Sequence, residues 1–599
     1  MTNLQLAALF RNIAAVYQIK EESRFRIIAY EKAADNIEHL TSEAKDYWDD
    51  GKVNEIPGIG PTIAGHLDEL FRTGHAKHFD KTLAQVPASV FPLLLVPGIG
   101  PKRAYKLVKE LKLPHPKSVV IDLLTKATLH KVAPIEGFGD KSEDEIIKNI
   151  QSYQKGGIKE NRITLAEADE IANAIKTYLL QCSSIQKVDV LGSLRRRVAT
   201  IGDIDLAIIT SNTQKAIDHF CAYRHEKIIE QGPTGASILL TNGRQVDMRV
   251  QAADSYGAML QYFTGSKNHN IKLRTYALTK HKSLSEYGIK TTKGLKKFSY
   301  EEDFYRELGM DWIPPELRED KGEIQAAIDH KLPHLVEDRD IKGDLHIHTS
   351  YDLDSSHDLG DSDITEVLDT ASQLGYEYIG ISDHNPSTGN HSENEIISIM
   401  KRRKEYYEDK YTSWKKKSNK STRLAENGSS KRVQLFIMLE IDIQPNGELS
   451  LPNEAFEYID AAIISVHSSF QQSRTDMTKR VMKAMQTHPK IKIIGHPTGS
   501  LLTKLEGYEL EWKEIFAMCK QQNIALEINS HPYRLDLPDQ LVHEAVFEHV
   551  PLVINSDTHA IDSMQFMPYG VSVARRGWAT KDDIMNTLSY NKIKQWLMP

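Results

Sequence analysis

Six short apolar runs in the second half of the chain constrain its fold more than any other feature. They read KGDLHIHT (342–349), YIGISDHN (378–385), FIMLEIDI (436–443), AAIISVHSSF (461–470), IKIIGHP (491–497) and LVINSDTH (552–559). Each is rich in strand-forming residues, and helical stretches lie between them. Repeated β-α units of this kind form a parallel, barrel-like sheet, and side chains at the carboxyl ends of its strands meet on one face. Each run carries an imidazole or carboxylate at or near that end. His346, His348, the Asp383-His384 pair, Glu440, His467, His496, Asp557 and His559 are therefore expected to converge. Mixed imidazole and carboxylate donors suit Zn²⁺, Mn²⁺ or Fe²⁺, and several such ions side by side suit attack on a phosphate ester.

The first half has a different rhythm. Residues 1–155 show helical periodicity, as in LFRNIAAVY and FRIIAYEKAADNI, broken by three glycine turns: IPGIG (56–60), VPGIG (96–100) and IEGFG (135–139). A Pro-Gly-x-Gly turn that opens a helix points backbone N–H groups outward, which suits one DNA phosphate without reading bases. Gly58, Gly60, Gly98 and Gly100 are the candidate DNA contacts, and Gly137/Gly139 form a weaker third copy. From residue 160 strand-like runs appear. In LGSLRRRVATIGDIDLAII (191–209), Asp203 and Asp205 fall two apart on a strand and so share one face. Gly192 and Ser193 open a turn that offers backbone donors to a triphosphate, and Arg195, Arg196 and Arg197 supply cations nearby. Asp247 in RQVDMRV adds a third carboxylate from another strand. Three such acids suit a two-metal phosphoryl transfer with Mg²⁺.

At 599 residues the chain exceeds one hydrophobic core, so several domains are expected. Its net charge of −7 confines any DNA contact to local basic surface. Three scattered cysteines make neither a disulfide framework nor a zinc knuckle, and no apolar run approaches a membrane span. A soluble, cytoplasmic, monomeric protein without a membrane partner is the expectation.

The segments FRIIAYEKAA, IPGIGPTIA, GSLRRR, GDIDL, VDMRV and YFTGS (262–266) resemble the family X DNA polymerases, the group related to DNA polymerase beta. Residues 343–599 resemble the polymerase-and-histidinol-phosphatase (PHP) domain that bacterial members carry. The resemblance implies a multidomain fold. Helical helix-hairpin-helix domains span 1–85 and 86–155. An α+β nucleotidyltransferase palm spans 156–256, a nucleotide-selecting thumb 257–318 and a linker 319–342. A distorted, TIM-like α/β barrel spans 343–599. It implies that Asp203, Asp205 and Asp247 bind two metals. Ser193 and Arg196 would hold the outer phosphates of an incoming dNTP. Tyr262, Phe263 and Gly265 would pack on its sugar, and Asn270 and Arg274 would face the nascent pair. In the barrel it implies three ions, Mn²⁺ or Zn²⁺, on His346, His348, His384, Glu440, His467, His496, Asp557 and His559. The activity implied is gap filling on primed or gapped DNA in repair, coupled to a 3′–5′ exonuclease.

The chain departs from the family's pattern in two places. The family's Schiff-base lysine slot holds His66 and the neighbouring basic slot Thr62, and imidazole cannot form that adduct, so 5′-deoxyribose-phosphate lyase chemistry is not expected. The family's aspartate five residues after the second histidine is Leu353. Asp352 and Asp354 flank it as candidates, in a longer loop that also holds His357 and Asp358. The glycine usual before the glutamate is missing, the chain reading Met438-Leu439-Glu440. Alternatives from other classes are a PHP phosphoesterase that uses a degenerate polymerase part to grip DNA, a small-molecule nucleotidyltransferase, and a non-catalytic repair scaffold.

Overall fold

The computed structural model describes residues 3–38, 44–49, 51–56, 58–96, 98–154, 162–355, 357–422, 433–502, 504–505 and 507–598. The chain divides into two compact units, residues 1–160 and 161–599.

The first unit is helical. Asn3–Ile19 and Arg24–Glu38 bury an aromatic cluster in which Phe10, Tyr17, Tyr30 and Phe79 meet edge to face. A second cluster gathers Leu93, Val96, Ile99, Leu107, Leu123, Ile146 and Ile150. The three glycine turns share one geometry. Gly58, Gly98 and Gly137 have φ of 78°, 77° and 82°, a left-handed backbone that favours glycine. Gly60 and Gly100 are the N-caps of helices Pro61–Thr73 and Pro101–Glu110, each with proline in its first turn. The third turn, weaker as a motif, likewise leads into a helix, Asp140–Gln154, and the Glu143 amide donates to the Gly139 carbonyl.

The second unit begins with a five-stranded mixed sheet of β1 (Ile185–Val190), β2 (Ile204–Thr210), β3 (Lys227–Gly232), β4 (Gly235–Leu239) and β5 (Gln245–Val250). Its strand order is β1-β2-β5-β4-β3, and β2 runs parallel to β5. Helices Tyr256–Thr264, Lys267–Thr279 and Glu301–Glu307 follow, around a core of Leu273, Ile289, Phe304, Tyr305 and Ile313. Residues 319–342, expected as a linker, are packed. Their helix Glu323–Ile328 adds Ile324 and Ala327 to that core, and Glu323, fully buried, binds the His269 ring at 2.7 Å.

The remainder is a parallel sheet of seven strands in sequential order: β6 (Gly343–Ile347), β7 (Tyr378–Ile381), β8 (Gln434–Asp442), β9 (Ala461–Ser465), β10 (Ile491–Ile494), β11 (Ala525–Asn529) and β12 (Leu552–Asn555). Most of their residues are buried, as parallel strands covered on both faces should be. The ends nearly close. His348 N–H donates to the Thr558 carbonyl at 2.8 Å, and Thr558 N–H to the His346 carbonyl at 3.2 Å. The sequence reading found six of the strands and missed β11. Residues 415–432 (KKKSNKSTRLAENGSSKR) form a polar stretch that begins within helix Glu393–Thr422, and residues 423–432 lie outside the described residues. Among the described residues no helix is long and apolar enough to cross a membrane.

Candidate active sites

The first site lies on the mixed sheet. Asp205 on β2 and Asp247 on β5 are register partners on adjacent parallel strands. Asp203 precedes β2, and all three acids offer oxygens within 4.8 Å of one another. Burial and the neighbouring Asp203 and Asp247 charges push Asp205 well above the usual carboxylate range, and burial raises Asp247. Gln245 Nε2 bonds both Asp247 oxygens at 3.1 Å. Three crowded acids, with the ionisation of Asp205 and Asp247 opposed, form a donor set that a divalent cation relieves, so the residues fit Mg²⁺.

Gly192, with φ of 56°, opens the turn Gly192–Arg195 beside Asp205, where a Cβ would strike the Asp205 carboxylate. Ser193 sits half-buried in that turn. The three arginines diverge. Arg195 pairs with the buried Glu301 (2.8 Å), which also holds the fully buried Arg318. Arg197 turns away to Asp169. Arg196 stays with the loop after helix Tyr256–Thr264, donating through Nη1 to the Thr264 carbonyl (2.6 Å), and a Cβ on Gly265 would come within 3.2 Å of that nitrogen. Gly265 itself has φ of 67°. Tyr262 and Phe263 are half-buried, with Arg249 stacked 4.6 Å over the Phe263 ring. Asn270 fixes this corner by donating to the Tyr262 carbonyl (2.8 Å) and accepting from Gln261 (2.9 Å). Arg274 is half-buried one turn further along the same helix.

The second site gathers at the carboxyl ends of the barrel strands, with Glu440 of β8 in the middle. Its Oε2 faces His346 Nε2 (3.3 Å), His348 Nε2 (3.5 Å) and His384 Nδ1 (3.1 Å). Its Oε1 faces His467 Nε2 (3.4 Å) and His496 Nε2 (3.0 Å). Asp557 Oδ1 approaches His346 and His348 at 3.5 and 3.3 Å, and His559 stacks on His348 at 4.1 Å. His346 Nε2, both nitrogens of His348, His384 Nδ1 and Glu440 Oε2 are buried without hydrogen-bond partners. These atoms come close but lack hydrogen-bond angles, as donors aimed at a common centre do. Orphaned donors of this chemistry fit several transition-metal ions. Burial opposes the Glu440 charge, yet His346, His384 and His467 hold it well below the usual carboxylate range. Burial drives His384 down to about 2. A cavity of about 270 Å³ opens onto these groups.

Residues that sequence reasoning did not single out lock the donors. Glu527 on β11, fully buried, binds His346 Nδ1 at 2.7 Å, which leaves Nε2 for the centre. Asp442 binds His467 Nδ1 at 2.7 Å. It stands two residues after Glu440 on one strand, a spacing that could have revealed it. Asp383 turns from the cavity to the buried Arg403 (2.8 Å). The candidates Asp352 and Asp354 are both exposed, because Leu353 between them is buried and the chain turns at Asp354 with φ of 53°. Neither reaches a candidate metal group. His357 of the same loop does, with Nε2 at 2.9 Å from Asp442 and its ring 4.7 Å from those of His384 and His467. In the helical unit His66 stacks on His78 at 4.3 Å.

A helix-hairpin-helix domain model matches residues 1–76 and a SAM-like helix-hairpin-helix tandem model residues 90–152. A DNA polymerase beta thumb model matches residues 259–319, and a PHP domain model residues 344–531. The chain is 22% identical over 354 residues to DNA polymerase lambda of Rattus norvegicus, covering 53% of this chain and 56% of that protein. It is 31% identical over 602 residues to the DNA polymerase/3′-5′ exonuclease PolX of Bacillus subtilis (strain 168), covering 100% of this chain and 99% of that protein. A likeness that runs end to end, through both donor sets, makes this chain a member of the bacterial family X DNA polymerases that end in a PHP domain.

Proposed function

We propose that the chain is a DNA-directed DNA polymerase that fills short gaps in repair and trims 3′ ends with a 3′–5′ exonuclease in its barrel. One observation carries this reading: two separate donor sets, an all-carboxylate triad and a Glu440-centred imidazole set, stand in one compact unit. The name of the Bacillus relative, which pairs the same two activities, supports it.

Asp203, Asp205 and Asp247 would hold Mg²⁺, and Asp247 would also polarise the primer 3′-hydroxyl. Ser193 and Arg196 would bind the outer phosphates of a dNTP. Tyr262, Phe263 and Gly265 would wall its sugar, with Asn270 and Arg274 at the nascent pair. The turns at Gly58/Gly60 and Gly98/Gly100 would take DNA backbone phosphates on helix N-termini. In the barrel His346, His348, His384, Glu440, His467, His496, Asp557 and His559 would hold Mn²⁺ or Zn²⁺, with His357, grouped with Asp442 and His467, as a further donor. Divalent ions at either site supply charge neutralisation and polarise the phosphoryl group. We assign no lyase step, since the family's lysine position holds His66 and an imidazole forms no Schiff base. Three free, buried cysteines accord with a reducing cytoplasm.

The test is a labelled primer on gapped template, with Mg²⁺ or Mn²⁺, with and without dNTPs. The Asp203→Ala/Asp205→Ala protein should still degrade, and the His346→Ala/His348→Ala protein should still extend. If either folded double variant lost both activities, the two-site reading would fail. A degenerate polymerase part that only grips DNA predicts no extension by the parent chain.

A further inference from the structure

We infer that Arg576, on the last turn of a barrel helix, is a positioning residue for the nucleotide site of the polymerase part. The inference rests on the reading of Arg196 as a phosphate ligand. Arg576 ends helix Met567–Arg576 and is 8% exposed. Its Nη1 donates to the backbone carbonyl of Arg196 at 2.8 Å and to Glu319 Oε1 at 3.0 Å. Its Nη2 donates to Asp539 at 2.9 Å. The same Glu319 oxygen accepts Arg196 Nε at 3.0 Å. One barrel side chain thus grips Arg196 twice, directly at its backbone and through a shared carboxylate at its guanidinium.

The geometry has consequences for Arg196. With Nε on Glu319 and Nη1 on Thr264, its Nη2 makes no hydrogen bond to the described residues and is left for a ligand. Two guanidiniums on one carboxylate oxygen divide its charge, so Arg196 is held in place without being fully neutralised. Remove Arg576 and Glu319 pairs with Arg196 alone, which weakens the pull of Arg196 on a phosphate and frees its backbone. The helix that presents Arg576 is itself fixed. Gly570 packs against Ser530 and Ile554 of the barrel with no room for a Cβ, and Arg575 binds Glu316 (2.8 Å) and the Val336 carbonyl (3.0 Å). Arg197 reaches across to Ser572 at 3.2 Å.

The experiment uses the full chain with Arg576→Ala, Arg576→Lys, Glu319→Gln, Arg576→Ala/Glu319→Gln and Arg196→Ala. It reads single-nucleotide gap filling against dNTP concentration, exonuclease rate and unfolding temperature. Loss of a hydrogen-bonded charge predicts that Arg576→Ala raises the KM for dNTP about tenfold, with kcat changed less and exonuclease unchanged. Lysine keeps the charge but not the fork, so Arg576→Lys should restore part of the KM. The double variant should cost no more than the worse single one, because both act on Arg196. Arg576→Ala with parental KM overturns the inference, as do equal falls in both activities alongside a lowered unfolding temperature. If Arg576→Ala does not fold, Arg576→Lys decides, and a parental KM there overturns it. Should Arg196→Ala itself leave KM unchanged, the phosphate role of Arg196 fails, and the inference with it. A raised KM in Arg196→Ala beside an unchanged one in Arg576→Ala removes the inference alone.

Discussion

The two donor sets solve opposite electrostatic problems. On the mixed sheet three carboxylates crowd together, and burial with mutual repulsion lifts the Asp205 pKa. In the barrel one central carboxylate faces five imidazoles, and its charge is favoured. The first set is unbalanced until cations arrive, and a triphosphate can complete their coordination. The second is balanced by its own residues and offers enough nitrogen and oxygen donors to hold ions before any substrate binds. From this difference we expect the polymerase part to take its metal with the nucleotide and the nuclease part to keep its metals resident.

The largest effect should come from Glu440. Glu440→Ala removes the one carboxylate that faces all five of these imidazoles and, among the described residues, leaves His384 and His496 without a carboxylate partner. Exonuclease activity and metal content should both fall by more than the roughly 10- to 100-fold typical of an outer partner, while gap filling persists. Metal analysis of the purified protein checks this directly. A variant that retains its metals would show that the carboxylate is not central.

Glu527 should come next. It lies outside the groups that face Glu440 but fixes the His346 tautomer from behind and accepts the His496 N–H at 2.7 Å. Glu527→Gln can still accept a hydrogen bond yet lacks the charge, so metal affinity should drop about 10- to 100-fold. Titration of the chelator-stripped protein with Mn²⁺ reads it. A matching loss of dNTP incorporation would break the separation between the sites.

Much of this arrangement was legible in the sequence, because strand ends that carry histidines announce themselves. Where a side chain works from behind, the signal fades. Glu527 lies in ALEIN, a run with no imidazole, so neither the strand nor its buried acid stood out. The loop after His348 departs for another reason. Counting residues from His348 pointed to Asp352 or Asp354, but burial of Leu353 decides which side chains of the loop face in, and that is a packing outcome absent from spacing. The arginine triplet likewise reads as one cationic patch. In the folded chain its members part toward Glu301, Glu319 and Asp169, acids far away in sequence. Local motifs find donors, whereas long-range ion pairs decide how each is used.

The smallest effect is also the one whose sign separates the two sites. A carboxylate whose pKa is raised in the folded state binds its proton more tightly there than in the unfolded chain. Its contribution to stability is therefore present at low pH and is lost as pH rises from the unfolded value through the folded one. In chelator at neutral pH, Asp205 has crossed part or all of that window and costs stability. Asp205→Asn removes the cost, so the metal-free protein should unfold a few degrees higher, although it gives up one of the three acids of the proposed metal site. Glu440 has its pKa lowered, so its charge contributes stability above the unfolded value and loses it only in acid. Glu440→Gln in the same chelator should therefore lower the unfolding temperature by a similar margin. Scanning calorimetry of the two variants beside the parent tests the opposition, and shifts of the same sign would mean that like-charge crowding is not what distinguishes the sheet site from the barrel.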